Sequence, residues 1–539
     1  AGQMELGMSN RGEHSEIETF LGSTVDSELS GNMIDICPVG ALTSKPFRYR
    51  ARTWELSRRK SVAAHDSSGA NLIVQVKNNQ VMRVVPLENE EVNECWIADR
   101  ERFSYEALNS DERLTQPMLK QGGQWKEVDW QTALEYVANG LKNIQRDHGA
   151  ASIGALVSPH STVEEAYLAG ALLRGLGSDN VDARLRRAEF AAGEGVQWLG
   201  TSIASLSTLQ RVLVVGSNLR KDHPLFAQRI RQAARHGAQV NAIASAAHKA
   251  SDWALPVANN LVTGASGWAQ ALADVAAAIA AEKGLAAPAA GTVSAQAQAI
   301  AKSLLGGERK AVLLGNGAAH HANASSLLVL ANWIGEQTGA SVGYLTEAAN
   351  TVGAQWAKAQ PQSGGKNAAQ MLDGSLKAAI LLNTEPEFDT AAGAAAVAAL
   401  DKAEMVVTLS PFKANMAFSD VLLPIAPFTE TSGSFVNAEG RLQSFHAVVK
   451  PRGETRPAWK VLRVLGNLLD VPGFNFETSQ DVLAKVTAQP LQLSNAIRAE
   501  VRLGGSVSEP AVAAIYQLDG IVRRAASLQQ TADARKEVA

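Results

Sequence analysis

The sequence predicts an α/β protein built on doubly wound, mostly parallel sheets, with a small β-rich unit ahead of the body. Three observations lead there. From about residue 125, short apolar runs alternate with stretches whose apolar residues recur at helical spacing. Nearer the start, residues 71–76 and 81–85 read as the two strands of a hairpin. The composition is globular, with 46% hydrophobic and 19% charged residues over 539, which excludes a disordered or collagen-like chain and allows about three or four domains.

The balance of residue types narrows the function classes. Only 5% of residues are aromatic, so the core must be mostly Ala, Val and Leu. Net charge is -3, from 50 Lys and Arg against 53 Asp and Glu, with no long basic run, so nucleic acid is not an expected partner. Two cysteines exclude a disulfide-stapled scaffold and a four-cysteine metal site supplied by this chain alone. No charge-free apolar run approaches the about 18 residues a membrane span needs; the best, Leu272 to Ala281, is broken by Asp274. Residues 1–5 have neither the basic nor the apolar region of a signal peptide.

The elements follow in order. Residues 1–50 are polar, Gly-punctuated and short on periodicity, and are expected to be loosely held. Lys77-Asn78-Asn79-Gln80 joins the hairpin strands, with Asn tolerating the positive φ a tight turn needs. This hairpin sits in a unit over 52–112. Trp130 to Ile144 reads as a helix and Ile153 to Val157 as a strand. Further strands are read at Arg211 to Gly216, Val240 to Ala244, Ala311 to Leu314, Ala378 to Leu382 and Met405 to Leu409. Helices are read between them, as at Pro224 to His236, from about Ser325, and in the Ala-rich run after Leu382. Gly284 to Val293 and residues 357–369 read as loops. The body runs over 113–450, and a helical C-terminal region over 451–539, fraying in its last dozen residues.

Several residues could carry chemistry. Cys37 precedes Pro38, a combination that recurs in cluster-binding loops; a lone thiol is otherwise an inert core residue. Cys95 reads as a plain cysteine and His65 as a surface-loop histidine. Gly216-Ser217-Asn218 after a buried strand could bring backbone N–H groups to a phosphate. Gly315-Asn316-Gly317 is a weaker signal of the same kind. His320 and His321 point about 100° apart on a helix and are poorly placed to share a metal.

Val25-Asp26-Ser27-Glu28-Leu29-Ser30-Gly31-Asn32, followed by Cys37-Pro38-Val39-Gly40-Ala41-Leu42-Thr43-Ser44-Lys45-Pro46, closely resembles the large iron–sulfur subunit family of NADH:quinone oxidoreductase, respiratory complex I. The resemblance implies that residues 1–50 end a ferredoxin-like cluster domain and that Cys37 is the last ligand of a [4Fe-4S] cluster. Its other three ligands, and a [2Fe-2S] domain, would lie upstream of Ala1. It implies that 52–112 is a second small iron–sulfur-type domain. There the four ligand positions fall at Ala63, Asp66, Ala70 and Ala98, so this domain is expected to have kept its shape without a cluster.

The body resembles molybdopterin oxidoreductases at Val212 to Asn218 with His223-Pro224, and at Asp420 to Pro424, Glu430 and Gly433 to Gln443. For the last segment a structural role, with Asn, Glu and Arg satisfying backbone groups, is preferred to a cofactor role. Asn180 to Phe190, where the family places its metal ligand, has no soft ligand and no hydroxyl, so neither molybdenum nor pterin is expected.

The function implied is electron transfer from NADH through FMN and iron–sulfur clusters toward quinone, coupled to proton translocation. The partners implied are the flavin- and NADH-binding subunit and neighbouring iron–sulfur subunits. The place implied is the cytoplasmic face of the inner membrane, peripheral and without a span. Two alternatives stand beside this: an independent molybdopterin oxidoreductase of the formate or nitrate type, and a purely structural scaffold.

Overall fold

The computed structural model describes residues 2, 4–19, 24–246, 250–504 and 507–535. Ala1 and Gln3 of the opening segment, and 536–539 of the expected frayed tail, lie outside them.

Two parallel sheets organise the body. The first runs, strand by strand, Asn259–Val262, Gln239–Ala244, Arg211–Val215, Lys310–Leu314 and Ser341–Tyr344. The chain enters at the centre, winds out to one side, then crosses back to build the other, which is the doubly wound topology. The second sheet runs Gln124–Glu127, Met118–Gln121, Val421–Pro424, Met405–Ser410, Ala378–Leu382, Ile153–Val157 and Val181–Asp182, parallel except for its edge hairpin at 118–127. The chain leaves this sheet after Asp182, completes the whole first sheet, and returns at Ala378.

The sequence pattern explains why these strands are central. Val212, Leu213, Val215, Leu313, Leu314, Leu381 and Leu382 are all at most 1% exposed, as a strand covered on both faces requires. Helices of the opposite character cover them. Trp130–His148 buries Trp130, Ala133, Leu134, Val137, Ala138, Leu141 and Ile144 on one stripe and starts on Asp129, whose carboxylate accepts the N–H of Thr132. Trp268–Lys283 is Ala-rich and buried nearly all round, so small residues let it pack tightly under the first sheet.

The small unit is a three-stranded antiparallel sheet of Ser57–Val62, Asn71–Lys77 and Gln80–Pro86. Its turn has Asn78 at φ 50° and Asn79 at φ 60°, as the Asn-Asn pair predicts. Ahead of it, Asn32–Ile36 forms a short helix docked on the small unit, so this stretch departs from the loose segment expected of residues 1–50, while Met4, Met8, Ile17, Val39 and Tyr49 are exposed. Asn32 exchanges two hydrogen bonds with the Ile97 backbone, Asp99 accepts from Ser30 and from the Gly31 N–H, and Arg102 reaches Asp35 at 2.6 Å. Polar side chains do here what apolar periodicity does elsewhere, so a search for apolar pattern misses it.

The C-terminal region corrects a second expectation. Ala458–Leu468 and Ser479–Thr487 are helices, but beyond Thr487 the described chain is mostly irregular, with only short helical turns after Ile521. Pro490, Gly504, Pro510 and Gly520 interrupt any helix there. The backbone pairs with the body instead: Val196 N–H donates to Gln492 O, Ser494 N–H to Val196 O, and Glu194 N–H to Ala496 O.

Candidate functional site

Cys37 ends the Asn32–Ile36 helix and is half-exposed. The loop that follows turns its amides toward the sulfur. Leu42 has the largest effect, and with Ala41, Val39 and Gly40 it holds the thiol below its ordinary pKa despite opposing desolvation. Backbone amides near a thiol favour its thiolate, the form that ligates iron. The residues therefore fit one ligand of an iron–sulfur cluster. Cys95, the other thiol, is exposed and its pKa is raised by burial and three nearby glutamates.

The four ligand positions of the second unit are buried: Ala63, Ala70 and Ala98 at 0% exposure and Asp66 at 4%. Alanine offers no donor atom. Asp66 is already engaged by the Ser68 N–H and hydroxyl and lies 3.5 Å from Arg100. These residues do not fit a cluster.

His65 stands on the same segment but is no surface residue. It is 1% exposed, with Nδ1 2.7 Å from Asp519 of the tail and Nε2 2.9 Å from Ser104 Oγ. Its burial depends on a partner 454 residues away, which no local pattern reveals. Burial alone would lower its pKa, but Asp519 and Glu101 outweigh that and raise it to about 8. Burial pushes the Glu101 carboxyl up to about 7.

Two contiguous cavities open at the carboxyl ends of the strands, both lined by Ser158 and His160. One, with about 50 Å³ open to the centre of a water-sized sphere, lies between the loops following Val157, Asp182, Leu314 and Tyr344, so both sheets contribute. The Asn180 to Phe190 stretch lines it through Ala183, Arg184, Leu185, Arg186 and Arg187. Its two carboxylates are engaged: Asp182 with Arg184 and the Ala368 N–H, Glu189 with the Ser325 N–H and hydroxyl. This stretch does not fit a molybdenum ligand set.

The other singled-out turns are satisfied within the chain. At Gly216-Ser217-Asn218, the Ser217 hydroxyl and the Asn218 N–H both donate to Asp222 Oδ2, so a carboxylate occupies the donors a phosphate would use. His321 accepts from the Asn323 N–H at Nδ1 and contacts Ala265 O through Nε2, and His320 contacts Ala511 O. Neither histidine is placed as a ligand, and no group of three or more His, Cys, Asp or Glu suited to a metal occurs among the described residues.

Polar side chains of the Gly433 to Gln443 segment bond within the chain. Asn437 Nδ2 donates to Ser68 O and Gln443 Nε2 to Gly69 O, clamping the small unit to the body. Glu439 accepts from the Ile203 N–H and from Arg441, and Glu430 holds Arg113 with two hydrogen bonds at 2.7 and 2.9 Å.

The family model described as molybdopterin oxidoreductase matches residues 113–468, which is most of the chain. The chain belongs to the molybdopterin oxidoreductase family. Ahead of this family's body, residues 1–43 match the ferredoxin-like domain of NADH-quinone oxidoreductase subunit 3. Residues 56–106 match the 4Fe-4S domain of the NADH-ubiquinone oxidoreductase NDSU1/NuoG-like type.

Among its relatives, an NADH-quinone oxidoreductase subunit from Rickettsia felis is 40% identical over 44% of this chain and 35% of its own length. The mitochondrial 78 kDa subunit of NADH-ubiquinone oxidoreductase of Candida albicans is 29% identical over 87% of this chain and 60% of its own. The alignments thus span about a third to three-fifths of these relatives. Acetylene hydratase from Pelobacter acetylenicus shares the molybdopterin oxidoreductase fold, with a TM-score of 0.53 at 13% identity over 80% of this chain and 72% of that one.

The chain is therefore a homologue of the large subunit of an oxidoreductase complex, with iron–sulfur-type domains preceding a molybdopterin-oxidoreductase-like body. Among the described residues no helix is long and apolar enough to cross a membrane.

Proposed function

We propose that this chain is the electron-transfer iron–sulfur subunit of an NADH:quinone oxidoreductase, with Cys37 as one ligand of a [4Fe-4S] cluster. A [4Fe-4S] cluster needs three further ligands beyond Cys37. The observation that carries the reading is the loop at Cys37, whose Val39 to Leu42 amides favour a thiolate. Such a cluster, when bound, passes single electrons between neighbouring centres. The chain's own residues hold the sulfur at the end of the Asn32–Ile36 helix, and Asn32, Asp35, Asp99 and Arg102 fix that helix on the second unit.

The second unit and the body serve as scaffold, without molybdenum or pterin. The alanines at three ligand positions, the engaged carboxylates of the Asn180 to Phe190 stretch and the Asp222 cap on the Ser217-Asn218 turn support this. The partners are the flavin- and NADH-binding subunit and adjacent iron–sulfur subunits, at the cytoplasmic face of the inner membrane. Cys37→Ser in the complex assembled from the full-length subunit tests the assignment. One low-temperature EPR signal of [4Fe-4S] type should vanish or shift while the others persist. An unchanged set of signals refutes the ligand role.

A further inference from the structure

The cavity between the two sheets contains a cation that the chain does not balance. Arg184 pairs with Asp182 at 2.8 Å, and Arg186 pairs with Glu347 at 3.1 Å and Asp389 at 3.3 Å. Arg187, between them and the cavity, pairs with no carboxylate among the described residues; its Nη2 donates to Gln197 Oε1 at 2.5 Å. Burial, its dominant influence, lowers the Arg187 pKa. Arg187 is partly buried, and a partly desolvated guanidinium without a carboxylate partner favours an anion beside it.

The same cavity gathers polar atoms with no protein partner: Thr346 Oγ1, Gln355 Nε2, Glu347 Oε1 and His160 Nε2. Thr346 and Glu347 are only 6% and 9% exposed. Gln355 Oε1 already accepts the Gln197 N–H, which leaves its amide as a donor. His160 Nδ1 lies 3.0 Å from Ala64 O, so the neutral ring presents Nε2 as an acceptor, and burial favours the neutral ring. The lining thus combines fixed positive charge and donors, from Arg187, Gln355 and Thr346, with acceptors, from Glu347 and His160. Donors around a guanidinium suit a carboxylate. The acceptors ask for a hydroxyl on the same molecule, and the Glu347 carboxylate repels a second negative charge.

We infer that this cavity binds a small hydroxycarboxylate monoanion, its carboxylate on Arg187 and Gln355 and its hydroxyl toward Glu347. The site is independent of Cys37 and of electron transfer. Isothermal titration of the whole chain with glycolate, acetate and phosphate, as sodium salts at matched ionic strength and pH 7, tests it. Glycolate should saturate, with acetate at least about tenfold weaker for want of the hydroxyl and phosphate weaker still. Arg187→Met should abolish glycolate binding and melt no lower than the parent, since it removes an unbalanced cation. Thr346→Val and Gln355→Leu should each weaken glycolate about tenfold, and they decide the matter if Arg187→Met does not fold. Equal weak heats from all three anions, tighter binding of phosphate than glycolate, undiminished glycolate binding in these variants, or a crystal structure in glycolate with only water at Arg187 would each overturn the assignment.

Discussion

His65 and Glu101 give the joint between the small unit and the tail a defined response to pH. His65 rises from 6.5 to about 8, so its contribution is fully present below 6.5 and is lost as pH climbs through about 8. Glu101 rises from 4.5 to about 7 and has the same sign, since the unfolded chain releases that proton first. Stability should therefore fall between pH 6 and pH 9, with about 2 kcal/mol traceable to His65 at about 1.4 kcal/mol per pKa unit. Urea unfolding at pH 6, 7.5 and 9 measures it. His65→Gln should flatten the upper part of the curve and Glu101→Gln the lower part. Variants that keep the parental slope would contradict this account.

At the same scale, what is legible depends on distance along the chain. Cys37 stands out because Cys-Pro and the small residues after it are contiguous. His65 cannot, because its partners are Ser104 and Asp519. Arg187 gives no signal either: its meaning lies in the lack of a nearby carboxylate, which only the folded arrangement shows.

Among the elements, the Asn78-Asn79 turn makes a sharp case. Both residues sit at positive φ, where a side chain costs about 1–2 kcal/mol unless it is Gly or a short polar residue. Replacing both by Ala should lower stability by roughly 2 kcal/mol, while Asn79→Gly should be neutral or stabilising; thermal melts distinguish the two. Gly343 is stricter. A Cβ there would lie 1.9 Å from Leu199 O, so Gly343→Ala must push the Ser341–Tyr344 strand off the 198–200 loop. A loss of at least about 2 kcal/mol is expected, with soluble yield and urea midpoint as the readouts.

The central strands are readable because burial on both faces leaves an uninterrupted apolar run, as at Val212 to Val215. The segment beyond Thr487 defeats a local reading because its backbone hydrogen bonds go to Val196 and Glu194 rather than to its own neighbours. Propensity describes local bonds and says nothing of such remote ones.

Across the whole molecule, Arg113 and Glu430 help join the start and the end of the body as a buried bidentate pair with side chains 1% and 5% exposed. Glu430→Ala should cost about 3–5 kcal/mol because it strands a buried guanidinium. Arg113→Met with Glu430→Leu should recover much of that. A double variant no better than the single one would show that the pair does more than balance charge.

The clamp between the small unit and the body has a different property. Asn437 and Gln443 hold Ser68 and Gly69 by their backbone carbonyls, which every residue type possesses. The grip touches no side-chain atom of residues 63–70, yet it requires glycine at Gly69, which sits at φ 69° and whose Cβ would lie 2.9 Å from both Asn437 Cβ and Gln443 Oε1. At the buried Ala63 and Ala70, a residue of similar size leaves both carbonyls in place, so the docking needs no metal ligand at either position. What such a fastening conserves is placement, and it leaves chemistry free to be lost.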